Sequence, residues 1–154
     1  MIRYIGDGGH AKVCRECQAY GSGTFIAVGD NADRKREAAA SHDPAPVLIH
    51  HTACVSPRAH LGPGTVVMAG AIVQADARIG DHCIVNTGAS VDHDCIVGDF
   101  AHIAPGAHLC GGVVVGEGAL VGVGVGIEPG TIIPAWSIVK RERYEITLRR
   151  HAAA

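Results

Sequence analysis

One histidine in the sequence has neighbours suited to acid–base chemistry. His93 lies between two carboxylates, Asp92 and Asp94, in the stretch NTGASVDHDC. An imidazole with its ordinary pKa of about 6.5 can accept a proton near neutral pH. A carboxylate bonded to one ring nitrogen would fix the tautomer and raise the basicity of the other nitrogen, and the sequence leaves open which aspartate does so. The segment therefore predicts a general base that deprotonates a nucleophile.

A glycine-rich segment near the amino terminus is a second candidate site. Gly8 and Gly9 precede His10 in the stretch GDGGHAK. Glycines let the backbone approach a ligand, and the amino end of a helix favours anions such as phosphate. A tight turn between a strand and a helix would use the same residue types. We therefore interpret this segment as a substrate contact or, alternatively, as a simple turn.

The six cysteines do not predict a metal site. Cys14 and Cys17 form a single CxxC pair, and there is no second pair to complete a tetrahedral zinc site. A redox CxxC motif is the alternative interpretation. Cys83 and Cys95 fall inside a repeat and are expected to be small, buried apolar residues. We expect no metal cofactor.

A six-residue repeat must position most of these residues. From Val55 to Val139 an aliphatic residue occupies every sixth position without a gap, and a small residue such as Ala71 or Ala107 follows four positions later. Aromatic residues are only 4% of the chain, and 21 glycines suit tight turns around a narrow core. Each hexapeptide is interpreted as a strand and a turn, three to a coil. The pattern resembles the hexapeptide-repeat family, whose coils wind left-handed, so we predict a mainly β fold, a left-handed parallel β-helix of about five coils.

The residues before the repeat predict a small α/β appendage. A strand at Ile2–Ile5 is followed by the glycine-rich turn and by a helix from about Ala11. An apolar strand, Thr24–Val28, and a polar helix, Asp33–Ala40, then lead to Val47–Ile49 and the first coil. Together these segments predict a reduced, Rossmann-like βαβ unit.

The ends and sides of such a solenoid need cover. The tail Lys140–Ala154 is charged, and a helix that caps the last coil is expected there. A flat side rich in valine and alanine favours symmetric association, with three copies around a three-sided solenoid. We therefore expect a homotrimer.

Charge and hydropathy argue against two classes of partner. The formal net charge of −2 gives no electrostatic basis for binding nucleic acid. No apolar run approaches the roughly 20 residues of a membrane span, and the first residues lack the apolar stretch of a signal peptide. We expect a cytoplasmic protein.

Several stretches resemble one known family. The segments GDGGHAKV and FIAVGDN, and the long segment from VLIHHTACV to VVVGEGALVG, are similar to bacterial acetyltransferases of UDP-linked 4-amino sugars and to the related sialic acid O-acetyltransferases. NTGASVDHDC is the most specific part of the match. The resemblance implies a trimer of β-helices that transfers an acetyl group from acetyl-CoA directly to a small acceptor, with a nucleotide-linked amino sugar favoured.

The resemblance also implies roles for individual residues. His93 corresponds to the general base of the family, and Asp94 to the acidic residue that tunes it. His102 corresponds to a histidine that contacts acetyl-CoA. Backbone near Gly111 and Val123 is expected to lie along the pantetheine and the thioester.

A further set of residues is expected to contact the acceptor. This set consists of Gly8, Gly9, His10 and Asn86. Direct transfer needs donor and acceptor held together, and proximity supplies much of the rate. Backbone N–H groups at the turn Gly111-Gly112 are candidates for stabilising the oxyanion.

The sequence divides into three parts. Residues 1–46 are interpreted as the acceptor-binding segment, residues 47–140 as the β-helix acetyltransferase domain and residues 141–154 as a C-terminal tail. Only Gly21-Ser22-Gly23 separates the region of the first helix from the FIAVGDN strand, where the family has further β–α segments. The acceptor-binding segment is therefore shortened.

Two other functions fit the same scaffold. A chain that has lost its acceptor domain would be a non-catalytic or degenerate hexapeptide-repeat scaffold, which would not bind acetyl-CoA. A metalloenzyme resembling the γ-class carbonic anhydrases would carry a His-x4-His pair, and no two histidines here have that spacing.

Overall fold

The computed structural model describes residues 1–140 and, as backbone, residues 146–148. In chain order its elements are β1 (Ile2–Ile5), α1 (Gly9–Cys14), β2 (Gln18–Tyr20), β3 (Gly23–Ile26), α2 (Asn31–Ala40), β4 (Val47–Ile49), β5 (Cys54–Val55), β6 (His60–Leu61), β7 (Val66–Val67), β8 (Ile72–Val73), β9 (Arg78–Ile79), β10 (Ile84–Val85), β11 (Ser90–Val91), β12 (Ile96–Val97), β13 (His102–Ile103), β14 (His108–Leu109), β15 (Val114–Val115), β16 (Leu120–Val121), β17 (Gly126–Ile127), β18 (Ile132–Ile133), β19 (Ser137–Val139) and β20 (Ile146–Leu148). No helix in the described part of the chain is long and apolar enough to cross a membrane.

Three parallel sheets form the sides of a prism. Sheet 1 contains β4, β7, β10, β13, β16 and β19, with β2 and β20 at its edges; sheet 2 contains β5, β8, β11, β14 and β17; sheet 3 contains β6, β9, β12, β15 and β18. Within a sheet each strand pairs with its counterpart one coil later, so Val67 lies opposite Val85, and Val85 lies opposite Ile103. Three hexapeptides therefore make one coil, and the parallel β-helix predicted from the repeat is confirmed.

The repeated aliphatic residues fill the inside of the prism. Every one of them from Val67 to Val139 is buried. The small residues four positions later are buried beside them at most coils, among them Cys83 and Cys95, as predicted. The thiols of both cysteines donate to backbone carbonyl oxygens, at 3.1 and 3.2 Å. The core is thus a narrow column that admits only small and aliphatic side chains, which accounts for the scarcity of aromatics.

The first residues form the predicted βαβ unit. β1 and β3 pair in parallel, with Ile2 opposite Gly23 and Ile5 opposite Ile26, and α1 lies between them in the chain. The helix α2 begins two residues earlier than predicted because the carboxylate of Asp30 caps its first turn, accepting hydrogen bonds from two backbone N–H groups at 3.0 and 3.1 Å.

Strand β2 is not apparent in the sequence. Its three residues pair antiparallel with β4, with Ala19 opposite Leu48, and so form one edge of sheet 1. A strand this short shows no alternation that could separate it from the end of the preceding helix. The pairing joins the N-terminal segment to the first coil through a continuous sheet.

The N-terminal segment covers the outer face of sheet 1. Cys14 and Phe25 pack in one buried cluster with Leu48 and Ile84, which point outward from that sheet. On sheet 3 an equivalent outward residue, Ile132, is 72% exposed. Burial of apolar surface on this one side therefore holds the segment against the prism.

A buried arginine also links α2 to the coils. Arg34 is 1% exposed. Its Nε donates to the carbonyl of His82 and its Nη2 to the carbonyl of Phe100, both at 2.7 Å. Its remaining donors reach the carbonyl of Val28 at 3.0 Å and the side-chain oxygen of Asn31 at 2.9 Å. One side chain thus satisfies acceptors in both parts of the molecule, which ties their relative positions together.

The helix expected in the tail is wrong where the structure describes the tail. Ile146–Leu148 form β20, which pairs antiparallel with β19. Because β19 is the last coil strand of sheet 1, its free edge presents backbone groups that a strand satisfies and a helix would not. The rest of the predicted tail, residues 141–145 and 149–154, lies outside the described residues.

Candidate active site

His93 projects from the corner between sheets 2 and 3. It follows β11, precedes β12 and has a side chain that is 62% exposed. Its Nδ1 lies 2.8 Å from Oδ2 of Asp94, and its backbone N–H donates to Oδ1 of Asp92 at 2.9 Å. Asp94 has a positive φ of 59°, a conformation that aspartate tolerates better than most residues. The ring contact, which the sequence left open, is therefore made by Asp94.

The two aspartates set the tautomer and the basicity of His93. A carboxylate can only accept a hydrogen bond, so Nδ1 carries the hydrogen and Nε2 is left to accept a proton. The hydrogen bond to Asp94, and then the charge of Asp92, raise the pKa of His93 above its ordinary value. A raised pKa makes the neutral ring a stronger base, and that base form is lost as the pH falls through the pKa.

Gly111 lies at the same corner, one coil after His93. A Cβ added to Gly111 would lie 2.6 Å from Cε1 of His93, so any other residue would displace the ring. The backbone N–H of Gly112 donates to the carbonyl of His93 at 3.0 Å. This bond takes Gly112 out of the predicted oxyanion donors and leaves the N–H of Gly111 as the candidate.

His102 lies on a different side of the prism, in β13 on the outer face of sheet 1. Its Nε2 is 3.0 Å from Nδ2 of Asn86, which was predicted as an acceptor contact. Burial, followed by the charges of Arg34 and His10, lowers the pKa of His102 to about 3. The ring is therefore neutral at physiological pH.

His10 joins this side from the N-terminal segment. Its Nε2 is buried and has no hydrogen-bond partner within the described ranges. Burial, followed by the charge of Arg34, lowers its pKa to about 4. Gly8 and Gly9 are exposed, and a Cβ added to either would meet nothing within 4 Å. Gly6 differs, because its φ is 110° and a Cβ there would lie 2.6 Å from a backbone oxygen, which makes it a structural glycine.

Val123 lies at the corner between sheets 1 and 2. It occupies the turn between β16 and β17 and is 66% exposed. This corner borders the face that carries His102, whereas Gly111 lies beside His93 at another corner. The predicted contacts to acetyl-CoA are therefore divided between two places on one chain.

The predicted residues thus fall into two groups on opposite sides of the prism. The corner group consists of His93, Asp94 and Gly111; the face group consists of Gly8, Gly9, His10, Asn86 and His102, with Val123 at its border. In a three-sided prism the corner between sheets 2 and 3 is opposite sheet 1. A site that uses both groups therefore needs a second copy of the chain.

Arg34 belongs to this region although the sequence gives no indication of it. Its charge contributes to the lowered pKa values of both His10 and His102. In the sequence it is one of several charged residues in a polar helix, and no spacing marks it as buried. Only the contact between α2 and the coils reveals its position.

The remaining candidates are the two CxxC thiols, His108 and a metal site. Cys14 and Cys17 are free thiols, and burial raises their pKa values to about 12 and about 11, so neither is a reactive thiolate at neutral pH. Oγ of Ser90 and Nδ1 of His108 lie 2.8 Å apart on the outer face of sheet 2. Over the part of the chain that is described, no three His, Cys, Asp or Glu side chains are grouped so that they could hold a metal ion.

The coils of repeated hexapeptides point to a class of protein, the hexapeptide-repeat acyltransferases. The family model described as the GMPPB C-terminal domain matches residues 44–147. The acetyltransferase domain of PglB from Neisseria gonorrhoeae FA1090 is 34% identical, covers 89% of this chain and 86% of that chain, and superposes with a TM-score of 0.81. PerB from Caulobacter crescentus, solved in complex with CoA and GDP-perosamine, is 37% identical over 89% of this chain and 84% of that chain, with a TM-score of 0.81.

The chain belongs to the family of hexapeptide-repeat sugar acetyltransferases, as the resemblance of its sequence predicted, and it is an acyltransferase. A second structure of the PglB domain, in complex with acetyl coenzyme A, is 35% identical over 89% of this chain and 86% of that chain, with a TM-score of 0.82. WeeI from Acinetobacter baumannii AYE shares the fold at 19% identity and a TM-score of 0.61. No curated protein sequence matches the chain.

Proposed function

We propose that the protein transfers the acetyl group of acetyl-CoA to the amino group of a nucleotide-linked amino sugar, with His93 as the general base. Similar structures support the substrates, since one contains acetyl coenzyme A and another contains CoA and GDP-perosamine. The observation that carries the base assignment is the pair formed by Nδ1 of His93 and Oδ2 of Asp94, because it leaves Nε2 exposed and basic.

The transfer follows from the chemistry of these groups. Nε2 of His93 accepts a proton from the acceptor amine while the amine nitrogen attacks the carbonyl carbon of the thioester. A C–N bond forms, the C–S bond of the thioester breaks, and the thiolate of CoA leaves and takes up the proton that His93 accepted, which returns His93 to its neutral form. The N–H of Gly111 is the proposed donor to the oxyanion that develops on the carbonyl oxygen.

The N-terminal residues of the face group, Gly8, Gly9 and His10, are the proposed place of the acceptor. The chain itself gives no steric reason for glycine at Gly8 and Gly9, and neither has a backbone conformation that requires it. Open space beside His10 is consistent with a ligand that approaches the backbone closely. We therefore assign acceptor binding to residues 1–46 and acetyl transfer to residues 47–140, with residues 141–154 as a C-terminal tail.

A trimer is the proposed functional unit. The corner group and the face group lie on opposite sides of one chain, and a cyclic arrangement lets the corner of each copy meet the face of the next. The coenzyme contacts of Gly111 and Val123 would then come from neighbouring copies. The six free cysteines suit the reducing conditions of the cytoplasm, where we place the reaction.

Replacing His93 tests the proposal. We expect His93→Asn to lower the rate of acetyl-CoA-dependent acetylation of GDP-perosamine by about 10²- to 10⁴-fold, the usual contribution of a general base. The loss of thioester absorbance measures the rate. His60→Asn, at another exposed coil histidine, is the matched control and should retain the activity of the unaltered chain.

Two outcomes would contradict the proposal. Activity of His93→Asn close to that of His60→Asn would remove His93 as the base. Failure of the unaltered chain to bind acetyl-CoA in calorimetry would favour a non-catalytic scaffold instead.

A further inference from the structure

The orientation of the Asn86 amide is fixed within the chain. Its Oδ1 lies 2.7 Å from the backbone nitrogen of Thr87, which donates to it. Only the oxygen of an amide side chain can accept such a bond. The NH₂ group, Nδ2, is therefore the atom that faces Nε2 of His102, at 3.0 Å.

This orientation determines the role of each ring nitrogen in His102. Nδ2 of Asn86 is a donor, so Nε2 of His102 must accept. In a neutral ring the hydrogen then resides on Nδ1. Protonation of the ring would place an N–H of His102 against the NH₂ group of Asn86. The positive charge of buried Arg34 disfavours that protonation further.

The donor on the other side of the ring is left without a partner from the chain. Among residues 1–140 no group forms a hydrogen bond with Nδ1 of His102, and the side chain is partly exposed. An Nε2 that accepts from Asn86 and an accessible Nδ1 donor together make a neutral ring that offers a hydrogen bond outward.

We propose that Asn86 is a positioning residue that holds His102 as the Nδ1–H tautomer, so that His102 donates a hydrogen bond to an oxygen atom of a bound substrate. The identity of that substrate rests on the proposed function; the tautomer does not. His102 is then a neutral donor that orients an oxygen and takes no proton, which leaves proton acceptance to His93. Asn86 acts through His102 rather than through direct contact with the acceptor.

The tautomer can be measured directly. In protein labelled with ¹⁵N-histidine, long-range ¹H–¹⁵N correlation spectra distinguish the two neutral tautomers from each other and from the protonated ring. His102→Asn identifies the signals of His102 by their absence. We expect the unaltered chain, without acetyl-CoA, to show Nδ1 protonated and Nε2 unprotonated across the neutral pH range.

Asn86→Asp reverses the hydrogen bond while it retains the size of the side chain. A carboxylate can only accept, so we expect the hydrogen of His102 to move to Nε2 and the pKa of His102 to rise. We also expect kcat/KM for acetyl transfer to fall at least tenfold. Ser90→Ala, which removes a comparable hydrogen bond to His108, is the control and should leave the His102 signals and the activity unchanged.

The outcomes separate this inference from the proposed function. A hydrogen on Nε2 of His102 in the unaltered chain would overturn the inference, and so would an Asn86→Asp spectrum in which the tautomer is unchanged. Since the spectra need no substrate, the predicted tautomer in a chain that transfers no acetyl group would support the inference while contradicting the proposed function.

Discussion

His93 and His102 are the same residue type on opposite sides of one prism, yet their surroundings shift their pKa values in opposite directions. The carboxylate of Asp94 raises the pKa of His93, whereas burial beside Arg34 lowers that of His102. Groups whose pKa values are pushed apart usually serve different steps of proton transfer. At the scale of the residue we therefore assign proton acceptance to His93 and hydrogen-bond donation to His102.

The raised pKa of His93 predicts a pH dependence. Only the neutral ring is a base, so kcat/KM should fall as the pH drops through the pKa of His93. Asp94→Asn removes the largest cause of the raised pKa, so the acidic limb should move to lower pH and the plateau should fall roughly tenfold as the base weakens. The pH profile of kcat/KM measures both effects.

Asp92→Asn is the matched control for this prediction. Asp92 bonds the backbone of His93 and acts on the ring only through its charge. Its replacement should move the acidic limb in the same direction but by less. A larger shift for Asp92→Asn than for Asp94→Asn would contradict the assignment of the ring contact.

Part of the site could be predicted at this scale and part could not. The exposure of His93 follows from its position within its hexapeptide, because the repeat fixes which residues point inward. The choice between Asp92 and Asp94 depends on the backbone conformation of the turn, and the tautomer of His102 depends on the Asn86 amide. Neither the ring contact of His93 nor the tautomer of His102 can be inferred from the spacing of residues in the sequence.

At the scale of the element, α2 depends on one buried side chain. Arg34→Met retains length and apolar contact but leaves buried carbonyl oxygens, such as those of His82 and Phe100, without donors. Each unsatisfied acceptor costs about 1–3 kcal/mol, so we expect the local stability of α2 to fall by about 3 kcal/mol or more. Amide hydrogen exchange in α2 should accelerate accordingly, while exchange in the coil strands should not change.

Arg36→Met is the control on the same helix. Arg36 is exposed and pairs with Asp33 at 3.0 Å, an arrangement that contributes about 0.5 kcal/mol or less. Equal exchange rates in the two variants would show that Arg34 does not hold α2 in place.

The elements themselves were predictable to different degrees. The coils followed from the aliphatic period because fifteen hexapeptides repeat one local solution without interruption. The strands β2 and β20 escaped prediction because each has three residues and exists only through pairing with an edge of sheet 1. The predicted start of α2, Asp33, is two residues late because the capping role of Asp30 is not apparent from the sequence.

At the scale of the whole molecule, the opposition of the corner group and the face group predicts complementation between chains. His93→Ala lacks the base but retains the face group, and His102→Leu has the reverse defect. If each site draws on two copies, random mixing of the two inactive chains in equal amounts restores about a quarter of the sites. A complete site needs a corner group from a chain with intact His93 next to a face group from a chain with intact His102, and about half of the chains supply each.

The measurement is acetyl transfer after the two variants are unfolded together and refolded. Each variant refolded alone is the control and should remain inactive. Absence of activity in the mixture, with trimers present by light scattering, would contradict a site shared between copies.

Each coil contains eighteen residues without interruption, so the position of a residue in the chain determines the side of the prism on which it lies. Adding one complete coil after Val139 would only lengthen the prism and leave every earlier side chain on its original side. Adding one hexapeptide between His93 and His102 would move all later residues to the next side of the prism. Such a chain can therefore gain or lose whole coils during evolution. An insertion or deletion of part of a coil between His93 and His102 would change the relative positions of the corner group and the face group.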